Sequence, residues 1–373
     1  MKKHINPLIL VVLILTLVMA ACQPNANGAT AEPDTIIDVV PEEATDEPER
    51  EELVVMTHDS FAISEAVMAA FESEQGIKVT IVKSGDTGSA LNRAILSKEA
   101  PIADVFYGVD NTFLSRALQE EIFEPYESPM LAAIDEEFML APNNEALPVD
   151  YGDVCINYDR AVFNENGVPV PLGFESLTNS LYKDMLVVEN PATSSPGLAF
   201  LLATIAYFGE DGYLAYWQQL RANGVLVVND WESAYYGSFS LYAGLESGRP
   251  LVVSYATSPA AEVIFAAEEL EESPTGSITA PGTCFRQIEF VGILKGTEKR
   301  ALAEAFIDYM LDVEFQEDIP MHMFVYPVNN NVEIPSVFEE HGGIVDAPAI
   351  LDADLISEKR DEWIQAWDET VLR

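Results

Sequence analysis

From residue 53 onward, short apolar runs alternate with longer segments whose apolar residues recur at helical spacing. Leu53-Val-Val-Met-Thr57 reads as a strand, Ser64 to Glu74 as a helix, Lys78 to Lys83 as a strand and Ser89 to Lys98 as a helix. Ala103 to Tyr107 is a third strand, entering Gly108-Val-Asp-Asn111 and another helix. Such a βαβαβ run predicts a parallel sheet with right-handed crossovers. Leu147 to Asn157 is extended and carries no helix after it. A second α/β unit follows, with strand Met185 to Glu189, apolar helix Leu198 to Phe208 and strand Gly224 to Asn229. Ser277 to Leu294 is extended and returns the chain towards the first unit. Helices Glu298 to Leu311 and Ser357 to Leu372 close the body, and Trp363 and Trp367, one turn apart on the latter, are docking core. The pattern predicts two α/β lobes, each a mostly parallel sheet flanked by helices, joined by two crossing strands: a clamshell that closes by hinge motion.

One stretch stands out, Asp230 to Pro259. It opens with Trp231, runs through an aromatic-rich helix (Tyr235, Tyr236, Phe239, Tyr242), breaks at Gly248-Arg249-Pro250 and ends in the strand Leu251 to Tyr255. A short apolar strand of this kind is buried on both faces of a parallel sheet. Its C-terminal end, where ligands of open α/β sheets sit, delivers Tyr255, Thr257 and Ser258. Trp231 and Tyr255, at element ends, are expected to face one crevice, whose aromatic rings suit a flat cation. The helix tyrosines are expected to be core.

The N-terminal segment changes the picture. Lys2 and Lys3, the apolar run Leu8 to Val18 and Met19-Ala-Ala-Cys22 read as a signal peptide over residues 1–21. The run is short for a bilayer span, and a Cys after Ala-Ala resembles a bacterial lipobox, whose Cys is lipidated. Residues 22–52 read as a disordered tether, with ten acids from Glu32 to Glu52 against the single Arg50. The whole chain holds 62 Asp and Glu against 19 Lys and Arg, a formal charge of −43. That excludes nucleic acid and anionic-membrane contact through the protein surface and steers cationic ligands inward.

Candidate chemistry is sparse. Thr193-Ser194-Ser195-Pro196-Gly197 is a strong helix start, with Ser195 the expected N-cap and Pro196 the first helical residue. A phosphate or hydroxyl is expected to dock there, at Ser194. Asp86-Thr87-Gly88-Ser89 matches the aspartic-protease tetrapeptide, but that chemistry needs a second such loop, and none occurs. Asp86 is expected instead to supply a carboxylate to the crevice or to cap a helix. Tyr235-Tyr236 matches the paired tyrosines of ferric-ion binding proteins, yet the four His are scattered and the three Cys form no zinc pattern. No metal site, cofactor or catalytic residue is expected.

Taken together, Thr57-His-Asp-Ser-Phe61, Leu91-Asn-Arg93, Gly108-Val-Asp-Asn111, Asp150-Tyr-Gly152, Asn190 to Gly197, Trp231 with Ala234-Tyr235, Ser254 to Pro259 and Tyr326-Pro-Val328 make the chain resemble the thiamine-binding proteins of ABC importers. These belong to the extracellular solute-binding family, with the type II periplasmic-binding-protein fold, and the likeness covers most of Leu53 to Arg373. The resemblance implies lobe 1 over residues 53–152 and 288–373, lobe 2 with the hinge strands over 153–287, and a monomer that passes thiamine or a thiamine phosphate to an ABC permease. It implies ligand contacts at Asp86, Ser194, Trp231 and Tyr255, with His58, Asp59 and Phe324 beside them. His58 stands where relatives tend to have Tyr, Phe324 where they have Trp, and Ala261 where they have another Tyr. Ferric iron or a polyamine is the alternative ligand, and a secreted aspartic-type hydrolase using Asp86 the alternative of another class. With Cys22 lipidated, Cys155 and Cys284 remain, one in each crossing segment. On antiparallel neighbours they are close enough to bridge, but a one-residue slip would send them to opposite faces as separate thiols.

Overall fold

The computed structural model describes residues 50–373, apart from the side chains at 165 and 166. The expected signal peptide, lipidated Cys22 and most of the tether therefore lie outside the described residues. Eleven strands form one mixed sheet: β1 (Glu52–Thr57), β2 (Lys78–Lys83), β3 (Val105–Asp110), β4 (Phe123–Glu124), β5 (Leu147–Asp159), β6 (Leu186–Glu189), β7 (Leu226–Val228), β8 (Leu251–Tyr255), β9 (Thr275–Ile278), β10 (Phe285–Leu294) and β11 (Tyr326–Pro327). Because β1 already holds Glu52, the expected tether ends one residue too late. The main order is β2-β1-β3-β10-β5-β8-β6-β7. β2, β1 and β3 run parallel, as do β8, β6 and β7, while β10 and β5 between them are antiparallel to each other and to their outer neighbours.

The βαβαβ pattern at the start is present, with details set by local chemistry. Ser64 caps the Glu65–Gln75 helix by accepting from the Val67 N–H, and Gly76 ends it in the left-handed region. Asp86 caps the next helix, which spans Thr87–Leu96 and so starts two residues before the sequence pattern places it. Gly108 and Asp110 belong to β3 and not to a following loop. Three further expectations need correction. A helix, Arg160–Asn166, follows β5 at once, begun by Asp159 accepting from the Ala161 N–H. The extended return segment is two strands, β9 and β10, separated by a turn. The aromatic-rich helix is two short pieces, Trp231–Tyr235 and Ser240–Ala243, because the chain turns at Tyr236-Gly237-Ser238 between them.

Trp363 and Trp367 are buried as expected, and Trp367 meets Trp217 edge-on at 5.4 Å, docking the Ala353–Val371 helix. Cys155 and Cys284 form a disulfide. The register explains it: Phe285 opposes Val154, so the preceding residue, Cys284, meets Cys155. Among the described residues no helix is long and apolar enough to cross a membrane.

Candidate functional site

The parallel strands at both ends of the sheet point their C-terminal ends at one cavity of about 270 Å³. His58 follows β1, Lys83 ends β2 and Asp86 begins the helix after it, while Trp231 follows β7 and Tyr255 ends β8. This is where open α/β sheets hold ligands. His58, Asp59, Asp86, Trp231, Tyr255 and Phe324 all line the cavity, so six of the seven expected residues are brought together.

Ser194 is the exception. It is fully buried and does not line the cavity. The helix starts at Ser195 with Ser194 as the N-cap position, one residue earlier than expected, so Pro196 is the second helical residue and Ser195 lines the cavity.

Asp86 is more committed than a free carboxylate. Its Oδ1 accepts from the N–H groups of Thr87 (2.7 Å) and Ser195 (3.2 Å), and its Oδ2 accepts from the Trp231 N–H (3.2 Å). Those three residues each open a helix, so one side chain satisfies donors at three N-termini. Burial still raises its pKa, against these bonds.

At the sheet centre Glu289 on β10 directly opposes Asp150 on β5. Tyr107 on β3 places its hydroxyl 2.5 Å from Asp150 Oδ2 and 3.0 Å from Glu289 Oε2. A phenol has one proton for two carboxyl oxygens, so one acid must carry a proton of its own. Burial and the Glu289 charge push Asp150 well up, which puts the proton there. Glu289 is itself opposed by burial but is held below the ordinary value by His58, whose Nε2 lies 3.3 Å from Oε1. In return Glu289 raises His58 despite the cost of burying its charge. Gly108 makes this packing feasible: a Cβ there would lie 2.3 Å from the His58 ring, and its φ of +103° suits glycine alone. Gly152 does the same for Tyr255, whose ring a Cβ would meet at 2.9 Å.

The opposite wall is aromatic. Trp231 donates its indole N–H to Ser254 Oγ (2.9 Å), which fixes the ring, and stacks on Tyr235 at 5.1 Å. Tyr236 meets Trp231 edge-on at 5.5 Å and Tyr242 meets Tyr236 at 5.0 Å. The expectation that the helix tyrosines are core holds for Tyr235 and fails for Tyr236 and Tyr242. Phe239 and Tyr235 are buried in one small cluster, with Tyr235 also lining the cavity, while Tyr236 and Tyr242 line it 47% and 44% exposed. A break at Gly237 separates the two helical pieces, with half-exposed Tyr236 and Tyr242 on either side of it. Tyr235 and Tyr242 donate to Glu262 at 2.8 Å, and burial with the Glu262 charge pushes Tyr235 well above its ordinary range. Among the described residues no group of three His, Cys, Asp or Glu is placed to hold a metal.

Glu262 itself escaped the sequence reading. The signal was available: Ser258-Pro259 starts a helix directly after β8, and Glu262 is one turn on from Ser258 on the same face. Phe324 has the left-handed φ of 58° and leans on Phe265 at 4.9 Å, and its carbonyl accepts from Thr257 Oγ1.

The model of the bacterial extracellular solute-binding protein family matches residues 100–341. The thiamine-binding periplasmic protein of Salmonella typhimurium is 30% identical over 332 residues, covering 86% of this chain and 94% of the relative. Its counterpart in Escherichia coli is 30% identical over 329 residues with the same coverage. Among solved structures, a periplasmic thiamin binding protein superposes with a TM-score of 0.75 at 27% identity, over 87% of this chain and 97% of that one. A ferric binding protein from Campylobacter jejuni, at 18% identity and a TM-score of 0.68, shares the fold.

Proposed function

The chain belongs to the bacterial extracellular solute-binding protein family, and we propose that within it this protein captures thiamine, or a thiamine phosphate, for an ABC importer. The observation that supports this most is the cavity. It pairs an aromatic wall, Trp231 with Tyr236 and Tyr242, with buried carboxylates, and flat aromatic faces beside negative charge suit a flat permanent cation. The volume of about 270 Å³ fits a small two-ring ligand. Trp231 and Tyr255 would face the rings, and Asp59, His58 and Phe324 would line the remainder. The carboxyl chemistry offers no paired acids at Asp86 for a hydrolase, since that side chain is engaged by three backbone donors.

The rest of the reading follows from the likeness to periplasmic thiamine-binding proteins. A lipid on Cys22 would hold a monomer outside the cytoplasm beside its permease, without catalysis. Residues 53–152 with 288–373, and 153–287, would act as two lobes closing on the ligand about β5 and β10. Calorimetric titration with thiamine, its mono- and diphosphate, ferric citrate and spermidine tests this. Saturable binding of thiamine or a phosphate ester is expected. Binding of only ferric citrate or only spermidine would overturn it.

A further inference from the structure

Glu262 is 9% exposed and lines the cavity, yet both its oxygens meet only neutral partners. Tyr235 donates to Oε1 at 2.8 Å, and Tyr242 lies 2.8 Å from both oxygens. Burial, with no cationic side chain beside it, raises its pKa. Glu232, which also lines the cavity, is exposed to water, and the other cavity carboxylates are accounted for. Asp86 holds three N–H groups, Glu289 faces His58, and Asp59 accepts from the Gly85 N–H at 2.8 Å. A buried carboxylate without a cation is costly, and phenol hydrogen bonds recover only part of its lost hydration. Around it, the rings of Trp231, Tyr235, Tyr236 and Tyr242 form a continuous aromatic surface, with neighbouring centroids 5.0 to 5.7 Å apart. Aromatic surfaces of this sort hold quaternary nitrogen without requiring it to donate a hydrogen bond.

We propose that Glu262 is the counter-ion of the cavity, and that it selects ligands carrying a permanently charged, quaternised aromatic nitrogen at the Trp231–Tyr242 wall. This deepens the thiamine reading and rests on it: the thiazolium ring would lie here, and the uncharged pyrimidine would extend towards Asp86 and Tyr255. Attraction of this kind needs no proton on the ligand, so it separates a quaternised ring from its neutral parent of nearly the same shape.

The test titrates the full-length protein and its Glu262→Gln variant with thiamine. It then titrates wild type alone with an N-methylated hydroxyethyl-methylthiazolium and with the uncharged hydroxyethyl-methylthiazole. Glutamine keeps one acceptor oxygen for the tyrosine hydroxyls and removes the charge. Loss of roughly tenfold or more in thiamine affinity is expected for Glu262→Gln, the scale of removing one partner of a buried charge pair. The thiazolium should also bind wild type at least that much more tightly than the neutral thiazole. The two wild-type probes keep the test decisive if the variant does not fold. Thiamine binding within threefold of wild type in a folded variant, or equal binding of the two thiazole probes, would overturn the proposal. Wild-type protein that ignores thiamine would instead sink the thiamine reading itself.

Discussion

Two clusters face the same cavity and solve the problem of a buried carboxylate in opposite ways. At the sheet centre, Glu289 has an internal cation in His58 and a phenol in Tyr107, and its neighbour Asp150 holds a proton. On the aromatic wall, Glu262 has two phenols and no cation. The first cluster is electrostatically complete before any ligand arrives. The second is complete only with one. Burial alone therefore does not mark a functional carboxylate; the identity of its partners does.

The sharpest break of that contrast is Glu289→Ala. It leaves His58 buried beside no carboxylate, and should cost about 3–5 kcal/mol in unfolding free energy at pH 6, measured in urea. A loss below about 1 kcal/mol would mean that the centre is not a self-contained pair.

Next in size is Trp231→Ala, which should weaken thiamine binding by about 2 kcal/mol. Tyr236→Phe, which removes a half-exposed hydroxyl with no hydrogen bond, should change it by less than about 0.5 kcal/mol. Equal effects in isothermal titration would remove Trp231 from the ligand's surface.

The smallest effect is in pH. His58 is raised above its ordinary 6.5, so its contribution is full below that value and fades as pH rises through the higher folded value. Glu289 is depressed below its ordinary 4.5, so its contribution is full above that value and fades as pH falls through the lower folded one. The stability difference between wild type and His58→Gln should therefore be greatest between those two values and shrink towards pH 9. A difference that grows with pH would reverse the assignment of charge to His58.

Strand ends and aromatic type made much of the cavity legible in advance: Trp231 and Tyr255 sit at element ends, and both line it. The N-cap chemistry of Asp86 was also readable, but its reach to Ser195 and Trp231 was not, because those donors are 109 and 145 residues away. Ser194 misled because a one-residue shift in a helix start turns a hydroxyl from the cavity to the interior. Tyr236 and Tyr242 misled because the expected single helix is two short pieces with a break at Gly237, and both rings are half-exposed on the cavity wall. The continuous sheet is likewise tertiary, since apolar runs give strands but not the antiparallel seam of β5 and β10.

The Cys155–Cys284 bond makes the chain between them, 129 positions apart, a covalent ring from which two linear tails emerge. β6 to β9 and the aromatic wall lie on the ring, while β1 to β3 and His58 lie on a tail. Closing a ring of this size restricts the denatured polymer by on the order of 5 kcal/mol, so part of the fold's resistance to unfolding resides in the state it unfolds to. Connectivity changes as well: one backbone cut inside the ring leaves a single molecule, whereas one cut in a tail releases a fragment. A ring cannot thread a narrow pore as a single strand, so any passage through one precedes oxidation, and the segment that bears Glu262 becomes part of a closed loop only afterwards.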